Sequence, residues 1–165
     1  MRIRETLLGF VVLGVVLGGV FWARGRGHPP SPSASAGRGS GEDGIPDITR
    51  ADGAVEVEDV RVTLSVTPRP PVAFAKSRFR VRVELDGAPL VLEDGRISFE
   101  MAMPMGDHGY ALAPAGGGWQ EAVVVLPVCQ SGNRRWYATV EGTNAGQRLA
   151  ARFRIDLTPP GSVSP

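Results

Sequence analysis

Arg78-Phe79-Arg80-Val81-Arg82-Val83-Glu84-Leu85 is the stretch that decides the fold. Its odd-numbered positions are apolar and its even-numbered positions are charged. Successive side chains on a strand point to opposite faces, so this contrast describes an antiparallel strand with one buried and one wet face. Phe79, Val81, Val83 and Leu85 are expected to point inward and Arg80 outward, and Asp86-Gly87 supplies the turn that ends the strand.

The same reading extends in both directions. Val60, Val62, Leu64 and Val66 form a second apolar face, while Val55 and Val57 sit on the opposite parity, which predicts a bulge or corner near Glu58-Asp59. Pro68-Arg69-Pro70-Pro71 lacks the N–H groups a ladder needs and must stop the strand begun at Val60. Further strands fit Ile97–Met103, Gly109–Ala113, Trp119–Leu126, Arg135–Glu141 and Arg148–Leu157. Asp94-Gly95, Gly116-Gly117-Gly118 and Asn144-Ala145-Gly146 read as turns, and Trp136 as a core residue. No window from Val55 onward carries a helical stripe, so the domain is all-β. About seven short strands suit two packed sheets better than a parallel sheet, which needs crossover helices. The expected architecture is an immunoglobulin-like antiparallel β-sandwich of about seven strands, preceded by one transmembrane helix. A small barrel is the alternative.

Thr6 to Ala23 carries no charge and as a helix reaches about 27 Å, enough to cross a bilayer core. Arg2 and Arg4 precede it, and Phe21-Trp22 suit the interface. It reads as an uncleaved membrane anchor. A signal peptide is the alternative, with Ala34-Ser35-Ala36 as a small-x-small site that lies well beyond the apolar run. Arg24 and Arg26 balance Arg2 and Arg4, so orientation is carried by the downstream domain. Residues 1–5 are then a short flank, 6–23 the transmembrane segment, 24–52 a disordered Gly/Pro/Ser/Ala-rich tether, 53–158 the β domain and 159–165 a disordered tail. His28 falls in the tether as a solvated loop residue.

The 165 residues hold 18 Lys+Arg against 17 Asp+Glu, a formal charge of +1 that gives no field for recruiting nucleic acid. A single cysteine cannot build an internal disulfide framework. There is no Gly-x-Ser-x-Gly elbow, no His-Glu-x-x-His helix and no phosphate-binding glycine loop, and Glu100 with Asp107 reads as two surface carboxylates rather than an acid/base pair. The chain is expected not to be an enzyme.

Chemistry concentrates in Glu100-Met101-Ala102-Met103-Pro104-Met105-Gly106-Asp107-His108-Gly109-Tyr110, which holds every methionine except Met1 and one of the two histidines. Soft thioether and thiol ligands together with imidazole select Cu(I) over hard cations. Met101, Met103 and Met105 would share one face if strand geometry continued, and Pro104 and Gly106 would fray the strand and let His108 fold back toward the sulfurs. Asp107 could then orient the imidazole. In the competing reading the methionines extend the core face of Ile97 and Phe99 as adaptable packing. Cys129, in Leu126-Pro127-Val128-Cys129-Gln130-Ser131-Gly132-Asn133, is either a buried thiol, a further soft ligand or a site of transient bonding to a partner.

A membrane helix, a tether, a sandwich of about 100 residues and the run Met101-Ala102-Met103-Pro104-Met105-Gly106-Asp107-His108 resemble the YtkA-like and FixH-like group of small membrane-anchored bacterial proteins. The resemblance implies copper handling or assembly of haem-copper oxidases, with Cu(I) held by Met103, Met105 and His108. Met101 and Cys129 stand as optional further ligands. It also implies a single-pass protein of the bacterial inner membrane, its folded domain in the periplasm, with a membrane oxidase or another copper protein as partner. The competing class is a metal-free interaction module that docks a membrane-protein partner.

Overall fold

The computed structural model describes residues 44–161. The expected flank, membrane segment, residues 24–43 of the tether and the last four residues lie outside them. Among the described residues there is no helix, and hence none long and apolar enough to cross a membrane. Ten strands follow in chain order: β1 (Gly53–Val57), β2 (Val60–Thr67), β3 (Lys76–Leu85), β4 (Ala88–Leu90), β5 (Glu93–Glu100), β6 (Gly109–Ala111), β7 (Ala113–Gly116), β8 (Trp119–Val125), β9 (Arg135–Asn144) and β10 (Gln147–Asp156). They form two antiparallel sheets, one ordered β1-β2-β3-β8-β7 with β4 also paired to β3, the other ordered β10-β9-β5-β6.

The inner faces meet in a core to which β2 gives Val62, Leu64 and Val66, β3 gives Phe79, Val81 and Val83, and the second sheet gives Ile97, Phe99, Trp136, Val140, Phe153 and Ile155. Phe79 of the first sheet meets Phe99 of the second edge to face, with ring centroids 4.8 Å apart. Such a contact adds about 0.5–1.5 kcal/mol to the burial of the two rings. Gln120 is buried on the inner face of β8 and uses both ends of its amide: Oε1 accepts from the Leu92 N–H at 2.9 Å and Nε2 donates to the Leu92 carbonyl at 3.1 Å. A buried polar group is thereby satisfied and the approach to β5 is fixed against the first sheet.

The alternation in β3 is borne out at Phe79, Val81 and Val83, but Leu85 is 38% exposed. It lies at the strand's last position, opposite Ala88 across the Asp86-Gly87 turn, and lines a cavity with Leu90, Arg148 and Leu149 that leaves it incompletely packed. The parity change near Glu58-Asp59 is a two-residue hairpin rather than a bulge within one strand: Val57 pairs with Val60 and Val55 with Val62. A two-residue turn makes paired residues differ in parity while they share a face. Asp94-Gly95, expected as a turn, lies inside β5, where Asp94 takes a φ of 51° and the register with β9 shifts between Glu93 and Arg96. It is a bulge.

Seven strands have five or more residues, and β4, β6 and β7 are shorter pieces. The stretch expected as one strand over Gly109–Ala113 divides at Leu112. Before it, β6 pairs with β5; after it, β7 pairs with β8 in the other sheet. Leu112 is buried and its N–H donates to the Gly95 carbonyl at 2.8 Å, so the crossing point is itself pinned. The domain also begins earlier than residue 53. Ile48, placed in the tether by composition, is fully buried, and Asp47 bridges in parallel to Arg154 on β10. Isolated apolar side chains in a polar run are invisible to a composition reading, yet Ile48 fills the end of the core.

Candidate functional site

β5 ends at Glu100, not at Met103, so the methionines fall in a loop of residues 101–108 and do not share a strand face. The loop is closed at its base by the Phe99 N–H donating to the His108 carbonyl at 3.0 Å. Pro104 has no donor to continue a ladder, and Gly106 takes a φ of 89°.

The three sulfurs therefore have three fates. Met101 is buried in the core, as the packing reading expected of it. Met105 is half-buried against that core. Met103 is 53% exposed. The structure brings Met103 to Cys129, whose thiol donates to the Met103 Sδ at 3.8 Å. Cys129 itself is 5% exposed and sits in a closed turn: its N–H donates to the Asn133 carbonyl at 3.1 Å and its carbonyl accepts from Gly132 at 2.9 Å. Hydrogen bonds from the Ser131 side chain and backbone, with a smaller one from the Gln130 backbone, hold the thiol below its ordinary pKa against the opposing effect of burial.

His108 is turned another way. Its Nε2 lies 3.0 Å from the Met105 carbonyl, which can only accept, so in the neutral ring Nε2 carries the proton and Nδ1 keeps its lone pair. The ring stands edge-on to Trp136, centroids 5.1 Å apart. Trp136 in turn donates its indole N–H to the Pro127 carbonyl at 3.1 Å, which ties the Cys129 loop to the wall that supports His108. Asp107 does not orient the imidazole. It pairs with Arg96 at 3.0 Å, and the guanidinium reaches it by crossing directly over Gly109, where a Cβ would meet Arg96 Nη2 at 1.7 Å. Glu100 is likewise in an ion pair, with Arg152 at 2.7 Å, and Arg152 lies over the Tyr137 ring.

A cleft of about 600 Å³ is lined by Ala102, by Gly132, Asn133 and Arg134, and by Tyr137 and Asp156 of β9 and β10; Met103 and Cys129 do not line it. Two sulfurs about 2.3 Å from one ion at the tetrahedral angle stand about 3.8 Å apart, a metal–sulfur length typical of thiolate sites. The Met103–Cys129 separation matches that spacing. Among the described residues no group of three or more His, Cys, Asp or Glu side chains could hold a metal ion, so any donor set here depends on thioether sulfur. Ser131 and Arg96 were missed in the sequence, because each acts across a turn or between strands that only the fold brings together; Trp136, expected in the core, is fully buried there and also backs His108. The fold and site define a sandwich-like all-β domain in which a thiol and a thioether sulfur meet across two loops. No family model, curated protein or solved structure matches the chain.

Proposed function

We propose that the chain is a non-enzymatic, membrane-anchored periplasmic protein of the bacterial inner membrane that binds and passes Cu(I). Cys129 and Met103 form the primary donor pair. The observation that carries this is their 3.8 Å contact across two loops far apart in sequence. A thiol with a lowered pKa is more readily the thiolate that Cu(I) takes. His108, through Nδ1, and Met105 are the candidate further donors, on the same loop as Met103, and Met101 is assigned to packing. The half-exposed Met103 suits delivery to a membrane oxidase or another copper protein. The apolar run Thr6–Ala23 and the resemblance to YtkA-like and FixH-like proteins support the anchor and its placement. The two sheets, with the chain crossing between them at Leu112, suit an immunoglobulin-like sandwich.

Titrating the full chain anaerobically with Cu(I) against a competing chelator tests the site. Cys129→Ser and Met103→Leu should each weaken binding at least about tenfold, which corresponds to one donor's share of about 1.4 kcal/mol. Met103→Leu should leave stability within about 1.5 kcal/mol, the allowance for a shape-conserving swap. Equal binding by wild type and both variants, or none at all, removes the proposal. The exposed Met103 then favours the metal-free module that docks a membrane-protein partner.

A further inference from the structure

We infer that the corner of the first sheet built by Phe74, Lys76, Arg78, Val123 and Val125 docks on an anionic membrane surface. β8 departs from the one-wet-face pattern of its neighbours. Gln120, Ala122 and Val124 point inward, while the outward positions Val123 and Val125 are 50% and 41% exposed. Register places Lys76 directly opposite Val125 and Arg78 opposite Val123, so each outward valine has a cation at its side.

Phe74 stands immediately beyond this pair of strands. Its N–H donates to the Leu126 carbonyl at 2.9 Å, one residue past Val125. The loop around it is further held by Ala73 N–H to the Thr158 carbonyl and Ala75 N–H to the Val72 carbonyl. Phe74 has a φ of 62°, a conformation a bulky side chain rarely takes, and its ring is nonetheless 59% exposed. The strain is not repaid by core packing. A ring and two valines flanked by Lys and Arg reproduce the pairing of apolar body and basic rim that seats a protein at the headgroup level.

Charge selects the occupant. Lys76, Arg78, Arg80 and Arg82 line the outer face of β3, against Glu84 beside Arg82 and Glu121 shared between Arg78 and Arg80. The face is net positive and complements anionic lipid. The inference also rests on the proposed anchor: residues 24–43 can span at most about 70 Å, so an inserted Thr6–Ala23 keeps the bilayer within reach at high effective concentration.

The test uses the full chain in vesicles of phosphatidylcholine alone and of phosphatidylcholine with phosphatidylglycerol, read by amide hydrogen exchange over residues 72–78 and 121–126. Anionic vesicles should slow exchange there, with added salt reversing the effect. Lys76→Glu with Arg78→Glu should abolish the protection, since each basic residue at such a surface is worth about fivefold in binding. Phe74→Gly should weaken docking while the domain stays folded, because glycine takes this φ without strain. Equal exchange in both lipids overturns the inference. So does protection that follows protein concentration rather than anionic lipid, which would mark a second copy or another protein as the occupant. Flotation with neutral vesicles reports on the anchor separately. A chain that fails to float there loses the anchor, and docking is then read by flotation with anionic vesicles, which the double charge reversal must abolish.

Discussion

Val81 and Arg80 are neighbours in sequence and opposites in environment: one is buried between the sheets, the other lies over the Trp119 ring at 4.7 Å and near Glu121. Val81→Asp places an unpaired charge among apolar groups and should lower stability by at least about 4 kcal/mol in urea denaturation. Arg80→Ser loses an exposed cation–π contact and a long ion pair, and should lower it by only about 1 kcal/mol. Equal effects would contradict the assigned faces. Asp47 offers a pH-dependent case. Burial pushes its carboxyl up, but hydrogen bonds from Thr49 and Arg154 outweigh that and hold its pKa below the ordinary value. A carboxylate whose pKa is lowered by folding stabilises the fold above about pH 4, where the unfolded chain ionises. That stabilisation declines as pH falls through the folded-state pKa and is absent below it. Asp47→Asn should therefore lower stability by about 1–2 kcal/mol at neutral pH, and the gap between the two unfolding curves should close in acid.

At the scale of elements, the hairpins differ in how well their turn residues suit them. Asp86-Gly87 joins β3 to β4 with both residues at positive φ, 51° and 79°, which is the geometry aspartate and glycine tolerate best. β9 and β10 are joined in the same way by Ala145 and Gly146, at 48° and 79°. Alanine has no local hydrogen bond with which to offset the left-handed conformation. Ala145→Asn should raise stability by about 0.5 kcal/mol, a shift of about 2–4 °C in a calorimetric melt of a domain this size. The turn between β7 and β8 is constrained by packing as well. Gly118 has a φ of 77°, and a Cβ there would meet the Pro89 Cβ at 2.5 Å, so β4 lies directly against this turn.

For the whole molecule, the position of Ile48 decides where the domain begins. It is fully buried, and its Cγ2 would lie 2.7 Å from a Cβ at Gly53, so the chain doubles back closely before β1 starts. Ile48→Ala should destabilise the domain by about 3 kcal/mol, within the range for truncating a buried isoleucine. A loss under about 0.5 kcal/mol in urea denaturation would show that the residues before Gly53 are not part of the cooperative unit.

The sequence alone determined the all-β class, the inward face of β3, the stop at Pro68 and the turns at Asp86-Gly87 and Gly116–Gly118, because these follow from period two, missing donors and positive φ, all local properties. It also picked out the methionine loop and Cys129 as the places where soft-metal chemistry could reside. What it could not decide was which of those residues meet. Met103 and Cys129 touch across 26 positions because β5 ends at Glu100 and the turn after β8 folds beside it. The strand that changes sheets at Leu112, the recruitment of Ile48 and the pairing of Asp107 with Arg96 are likewise long-range outcomes. Each depends on which surfaces remain to be covered once the sheets have packed, and no local pattern encodes that.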